Sequence, residues 1–235
     1  MRKIINKYKY PFIIALLILF NICIVVKNQD HYFLSEHSIA VGKEEKKVDI
    51  NKKHRYKMKV YYPSTSYESL NHEIDQQIGR YISNFQSYLD NSKVQANQYY
   101  TLTILYDSYS YQNYLSYVFE IETDVGGAHP NHEIWTITYD TENNKIVTVD
   151  DLIGIYPKFL DIASKSSREE LIHHPGIVDI QMLMDGTLPN KSNFSKFAFS
   201  DVGLLLFFGR YQIAPYSSGD FEVIIPYDKL KNQGI

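Results

Sequence analysis

The segment at residues 126–131 (GGAHPN) holds the residues of this sequence best suited to a chemical or binding role. Its two glycines permit a positive φ or a close backbone approach, and its proline stiffens the exit. A histidine held there could be a ligand, a general base or a fixed hydrogen-bonding group. A plain turn whose imidazole bonds nearby carbonyls explains the same residues, so both interpretations stay open. The candidate binding residues here are Gly126, Gly127, His129 and Asn131.

Two neighbouring carboxylates, Asp150 and Asp151, suggest a second possibility. Together with His129 they could supply the acid–base or metal-binding groups of a hydrolase or deacetylase that acts on cell-wall glycan or peptide. This hypothesis requires the side chains to converge within hydrogen-bonding reach. The alternative is that the two aspartates cap the helix or turn that follows them.

Familiar catalytic signatures are absent from this sequence. It contains no Gly-x-Ser-x-Gly elbow, no Ser-x-x-Lys pair and no phosphate-binding glycine-rich loop. His72-Glu73 and His132-Glu133 begin like a zinc-protease motif, but neither pair is followed by the second histidine that the motif needs. We therefore expect no metal site and no cofactor, and a module that binds rather than catalyses.

The composition is that of a globular domain, with 44% hydrophobic and 22% charged residues. The single cysteine, Cys23, excludes an intramolecular disulfide. Four basic residues lie within residues 1–10, which leaves 20 basic residues against 27 acidic ones in the rest of the chain. An acidic domain is poorly suited to nucleic acid, because binding there depends on phosphate neutralisation. It would accept a cationic partner.

Hydrophobic periodicity predicts the elements that position these residues. Apolar residues recur at helical spacing over residues 68–90, and a second helix is expected at about 156–173. Short alternating or apolar runs predict strands at 55–62, 100–106, 114–121, 134–139, 145–149, 197–199, 203–208, 211–216 and 221–226. Because the strands come in runs, we expect an α+β fold with an antiparallel sheet carrying two helices.

The N-terminus predicts a membrane anchor. Residues 11–26 (PFIIALLILFNICIVV) are apolar and follow a basic tail at residues 1–10, which should stay cytoplasmic. We expect one transmembrane helix, a polar stalk at 27–54 and an extracytoplasmic domain at 55–235. A cleaved signal peptide, a lipoprotein acylated at Cys23 and a buried helix are the alternatives, although the nearest small-x-small site is as distant as residues 38–40.

Several segments in order along the chain resemble a known module. They are residues 61–63 (YYP), 126–131 (GGAHPN), 149–153 (VDDLI), 202–204 (VGL) and 211–216 (YQIAPY) with Gly219. This combination resembles the extracytoplasmic domain of unknown function shared by RsiV-type anti-sigma factors and the N-terminal region of PdaC-type peptidoglycan deacetylases. The resemblance implies an envelope-facing α+β fold.

For the anti-sigma members, the resemblance implies recognition of lysozyme, a cationic protein that suits the acidic balance here. It directs attention to a recognition surface near His129 and the block that contains Tyr211 and Tyr216. We expect neither a sigma-binding domain nor a deacetylase catalytic domain in this chain. The partner would then be a cell-wall component or an envelope protein, and a purely structural tether is a further alternative.

Overall fold

A computed structural model describes residues 43–51, 56–91 and 99–231 of the chain, and the side chains of all but 43–51, 90 and 91. Within these residues the chain forms nine strands, five α-helices and one short 3-10 helix. The predicted α+β class is confirmed. The strands form two sheets rather than the single sheet that we expected.

The larger sheet has six strands in sequence order, β1-β2-β3-β4-β5-β6. They are β1 (Lys43–Asn51), β2 (Tyr56–Ser64), β3 (Tyr100–Tyr111), β4 (Tyr114–Asp124), β5 (Asn131–Asp140) and β6 (Lys145–Val147). All neighbours are antiparallel except β2 and β3, which are parallel. Helix α1 (Glu68–Asn91) makes the crossover between those two strands, as a parallel pair requires.

Helix α1 packs on one face of this sheet through the apolar stripe that its sequence predicts. Leu70, Ile74, Ile78 and Phe85 are each at most 1% exposed. Their partners are buried side chains of the sheet, namely Met58, Val60, Leu102, Ile104, Tyr117, Phe119, Ile121, Ile137 and Tyr139. Burying one such side chain contributes about 1.5–3 kcal/mol, so this contact holds the first half of the fold together.

The second half is built on a three-stranded antiparallel sheet, order β7-β8-β9. Its strands are β7 (Phe197–Phe199), β8 (Leu204–Phe208) and β9 (Phe221–Ile225), and the 3-10 helix is Tyr216–Ser218. The helices are α2 (Val149–Ile155), α3 (Phe159–Leu171), α4 (Ile180–Gly186) and α5 (Tyr227–Lys231). The core of this half includes Phe159, Phe194, Phe208 and Val223, all completely buried.

Two hydroxyls join the sheets. The backbone N–H of Phe199 donates to Ser116 Oγ at 2.9 Å, and that of Phe197 donates to Thr136 Oγ1 at 3.2 Å. Ser116 lies on β4 and Thr136 on β5, at positions that alternate with the residues packed against α1. The smaller sheet therefore contacts the face of the larger sheet that α1 leaves open.

Several sequence predictions need correction. The helix expected at about 156–173 is α3, Phe159–Leu171, and the short α2 precedes it as a separate helix, whereas α4 and α5 were not expected. Residues 211–216 are not a strand, because the chain there turns and enters the 3-10 helix. Residues 43–51 of the expected stalk pair with β2 along their length and so belong to the folded domain.

The expected anchor at residues 11–26 lies outside the described residues. Among the helices of the part that is described, none has both the length and the apolar character needed to cross a membrane.

Candidate functional site

The turn between β4 and β5 presents His129 to solvent. Gly126 has φ 81°, a conformation that favours glycine, and its N–H donates to Asp124 Oδ1 at 2.9 Å. His129 Nδ1 lies 2.9 Å from the carbonyl oxygen of Pro130. A carbonyl oxygen only accepts, so Nδ1 is the donor in this contact. The expected turn with a carbonyl-bonded imidazole is therefore present.

The loop between β8 and β9, residues 209–220, carries the two tyrosines. Tyr211 is 61% exposed and has φ 67°, and Tyr216 opens the 3-10 helix. Gln212 anchors the loop to the helical half, since its Nε2 donates to the carbonyl oxygens of Gly186 and Asn193. A strand would have placed alternate side chains on opposite faces, whereas this loop directs both tyrosines to one place.

The turn and the loop meet through their aromatic rings. The rings of His129 and Tyr216 stack with centroids 3.8 Å apart and planes 28° from parallel. The Tyr216 hydroxyl donates to the carbonyl oxygen of Pro130, and the Tyr211 ring lies 5.5 Å from that of Tyr216. We call His129, Tyr211 and Tyr216 the aromatic platform. Gly126 and Gly127 lie exposed on the same turn as His129, and Asn131 is the exposed first residue of β5.

Three residues that sequence reasoning missed support the platform. The guanidinium of Arg210 lies 4.4 Å from the centre of the Tyr216 ring. Asp220 accepts the backbone N–H of Arg210 at 3.0 Å, and its other oxygen lies 3.0 Å from Nδ1 of His132. His132 appeared in the sequence only as part of a failed zinc motif. Nothing local distinguishes Asp220 or Arg210 from other charged loop residues.

A group of half-buried carboxylates lies on the facing surfaces of the two sheets, where Glu120 is close to His132, Asp220 and Arg210. Burial raises the pKa of Asp107 on β3 and that of Glu120 on β4. Burial also raises the pKa of Glu222 on β9 to about 7, with added repulsion from Asp107 and Glu170. These side chains take up protons more readily than solvent-exposed carboxylates do.

Asp150 and Asp151 do not join this site. Asp151 bonds the side chain of Lys145, which pairs with the last residue of β5, whereas His129 lies just before the first. A ten-residue strand spans roughly 30 Å, so the expected acid–base arrangement of these aspartates with His129 is not formed.

The two aspartates have local partners instead. Asp151 forms a capping box with Thr148, the N-cap of α2, and Asp150 pairs with Lys191. The hydrogen bonds from Lys145 and Thr148 lower the pKa of Asp151 to about 2. The expectation that this pair caps the following helix is thus half right, since Thr148 is the capping residue and Asp151 its reciprocal partner.

Metal-ligating residue types do not cluster in the part of the chain that the structure describes. Among the residues whose side chains the structure describes, no three His, Cys, Asp or Glu side chains are arranged to hold a metal ion.

Comparison with known proteins identifies relatives of this chain. Residues 150–228 match the family described as "Protein of unknown function (DUF3298)". The peptidoglycan-N-acetylmuramic acid deacetylase PdaC of Bacillus subtilis (strain 168) is 29% identical over 133 residues, which cover 56% of this chain and 26% of PdaC. The resemblance to PdaC-type proteins is confirmed, and that to RsiV-type anti-sigma factors stays a prediction.

Solved structures share the fold. A DUF3298 family protein from Pseudomonas aeruginosa PAO1 superposes with a TM-score of 0.62 at 15% identity, covering 80% of this chain and 92% of that one. A DUF3298 family member from Bacteroides fragilis NCTC 9343 gives 0.54 at 15% identity, covering 83% and 94%. At this identity the similarity establishes the α+β architecture alone.

Proposed function

We propose that this protein is a non-catalytic binding module of the bacterial envelope. Two similarities support the proposal: residues 150–228 match the DUF3298 family, and the chain is similar to part of a peptidoglycan deacetylase. It recognises a cell-wall component or an envelope-associated protein such as lysozyme. The recognition surface is the aromatic platform of His129, Tyr211 and Tyr216.

The observation that carries this proposal is the joining of two distant loops into one aromatic surface. Tyr216 and Pro130 are separated by 86 residues, yet the tyrosine hydroxyl bonds the proline carbonyl beside the stacked ring of His129. Tyrosine side chains that combine an exposed ring with a polar tip are typical of binding surfaces. Tyr211, 61% exposed, is the member positioned to contact a ligand directly.

The alternative function, a cell-wall hydrolase or deacetylase, requires residues that this fold does not bring together. Asp150 and Asp151 lie at the opposite end of β5 from His129, and each is engaged in a local ion pair. Nδ1 of His129 donates to the carbonyl oxygen of Pro130 rather than to a carboxylate that could orient it as a base. These contacts support a surface that binds its ligand without converting it to a product.

We also propose that residues 11–26 hold the domain outside the cytoplasmic membrane. The apolar segment and its basic flank support this orientation. Protease added to wall-free intact cells should digest residues 43–231 and leave a short membrane-bound N-terminal fragment. Full protection of the domain until the cells are lysed would contradict the orientation.

Recognition is tested by measuring binding of the protein to purified peptidoglycan and, separately, to lysozyme while soluble products are monitored. We expect saturable binding without product for one of the two. His129→Ala and Tyr211→Ala should each weaken it at least about tenfold, the loss typical of a residue central to an interface. His72→Ala is the matched control, because that histidine is exposed on α1 and its ring meets the side chain of Gln76 one turn further along the helix.

Either of two results would reject the proposal. Product released by the wild-type protein and abolished by His129→Ala would make the chain an enzyme. Absence of binding to both probes would remove the recognition role that we assign to the platform.

A further inference from the structure

The ring of Tyr216 is held on both faces. The guanidinium carbon of Arg210 lies 4.4 Å from its centre, and the His129 ring centre lies 3.8 Å away. Two groups so close to one ring centre would overlap if they shared a face, so they occupy opposite faces. Tyr216 is therefore the middle member of a stack that runs from Arg210 to His129.

Asp220 holds Arg210 in this position. One carboxylate oxygen accepts the backbone N–H of Arg210 at 3.0 Å, and the other lies 3.5 Å from its Nε. Arg210 and Asp220 stand at the two ends of the loop that carries Tyr211 and Tyr216. The carboxylate thus closes the loop at its base and forms an ion pair with the guanidinium that lies against the tyrosine ring.

His132 connects this base to the larger sheet. Its Nδ1 lies 3.0 Å from Asp220 Oδ2, and the two side chains are only 10% and 8% exposed. Burial acts to raise the pKa of Asp220, but the nearby imidazole of His132, the charge of Arg210 and the backbone N–H that Arg210 donates hold it below its usual value. Asp220 is therefore ionised at neutral pH, and Glu120 faces the same group from β4.

We propose that Asp220 is the positioning residue of the aromatic platform. His132 fixes the Asp220 carboxylate relative to β5. The carboxylate in turn fixes Arg210, whose guanidinium packs against the Tyr216 ring that stacks on His129. The platform is then preorganised in the free protein, which lowers the ordering cost of binding. The identity of the ligand rests on the proposed function. The preorganisation of the platform by Asp220 is a property of the free protein and can be measured without a ligand.

The test is a histidine NMR spectrum of the free full-length protein, labelled with ¹³C in its histidine rings. His129→Gln assigns the His129 signals, which ring current from Tyr216 should displace upfield. Asp220→Asn keeps an acceptor for the Arg210 N–H but removes the charge that holds the guanidinium and His132. We expect this variant to fold and to lose most of the His129 displacement. Asp201→Asn, in an exposed turn, is the matched control and should leave the signals unchanged.

A folded Asp220→Asn protein with the wild-type His129 signals overturns the proposal, and so does an equal change in the Asp201→Asn control. If Asp220→Asn fails to fold, Arg210→Gln decides. That variant keeps the backbone N–H for Asp220 and removes the guanidinium, so retained His129 signals overturn the proposal and their loss supports it. Because no ligand is present, failure here leaves the binding proposal standing, and failure of binding leaves this result intact.

Discussion

At the scale of single residues, Tyr211 is the most unusual feature of the platform. Gln112 and Asn144 share its positive φ among the described non-glycine residues, but both lie in tight turns between adjacent strands. A left-handed conformation costs a residue with a Cβ roughly 1–2 kcal/mol. The bonds that anchor Gln212 next to it enforce this conformation. Such strain is often retained where a side chain must be displayed.

Substitution of Tyr211 separates its backbone strain from its ring. Tyr211→Gly and Tyr211→Ala both remove the contact with Tyr216, but glycine alone relieves the positive φ. We expect the glycine variant to be more stable than the alanine variant by about 1 kcal/mol, measured by urea unfolding. Both should lose binding to the probe that the wild type binds. Equal stability of the two variants would show that the loop relaxes without strain.

At the scale of elements, the C-terminal end of α4 packs closely against the β8–β9 loop. A Cβ added at Gly186 would lie 2.1 Å from the carbonyl oxygen of Gln212 and 2.7 Å from a methyl carbon of Ile213. Arg168 on α3 fixes the same helix end by donating to Thr187 Oγ1 and to the carbonyl oxygen of Met184. The position of the platform loop therefore depends on how closely this helix approaches it.

Gly186→Ala should destabilise the protein by about 1–3 kcal/mol, because the new methyl group meets backbone that can move only with the loop. Gly79→Ala in α1 is the matched control, since a Cβ there meets nothing within 4 Å. We expect the control to stabilise the helix by about 0.5–1 kcal/mol. Thermal unfolding of both variants measures the contrast, and a neutral Gly186→Ala would contradict the close packing.

At the scale of the whole molecule, the junction of the two sheets contains carboxyl groups whose pKa burial raises. Burial raises the pKa of Glu120 on the larger sheet and of Glu222 on the smaller sheet, and the nearby charge of Asp107 raises both further. The raised pKa of Glu222, about 7 against an ordinary 4.5, means that the folded state binds its proton more tightly than the unfolded chain does. The stability that this proton provides is full below pH 4.5 and is lost as the pH rises through 7.

Glu222→Gln should reduce the pH dependence of stability. Between pH 5 and pH 8 we expect the wild type to lose about 1–2 kcal/mol of unfolding free energy through this group, after allowance for partial solvent screening. The glutamine variant should lack that part of the loss, and Glu142→Gln in an exposed turn should behave like the wild type. Urea unfolding at the two pH values provides the measurement. An unchanged pH dependence in Glu222→Gln would show that burial and repulsion at the junction do not raise the pKa of this group.

The sequence by itself determined the features that depend on neighbouring residues. The stripe of α1, most strands and the left-handed Asn144 follow from periodicity and turn chemistry, which act over a few residues. The turn at 126–131 was identified for the same reason, because glycines beside a histidine are a local signal. The segments that resemble PdaC-type proteins were likewise readable one at a time.

Only the tertiary structure decided which of these features meet. It placed residues 211–216 in a loop instead of a strand, because the anchoring of Gln212 outweighs local β propensity. It separated His129 from Asp150 and Asp151, and it paired His132 with Asp220 across 88 positions of the chain. A contact between residues so far apart depends on how the two sheets pack, and no short stretch of sequence encodes it.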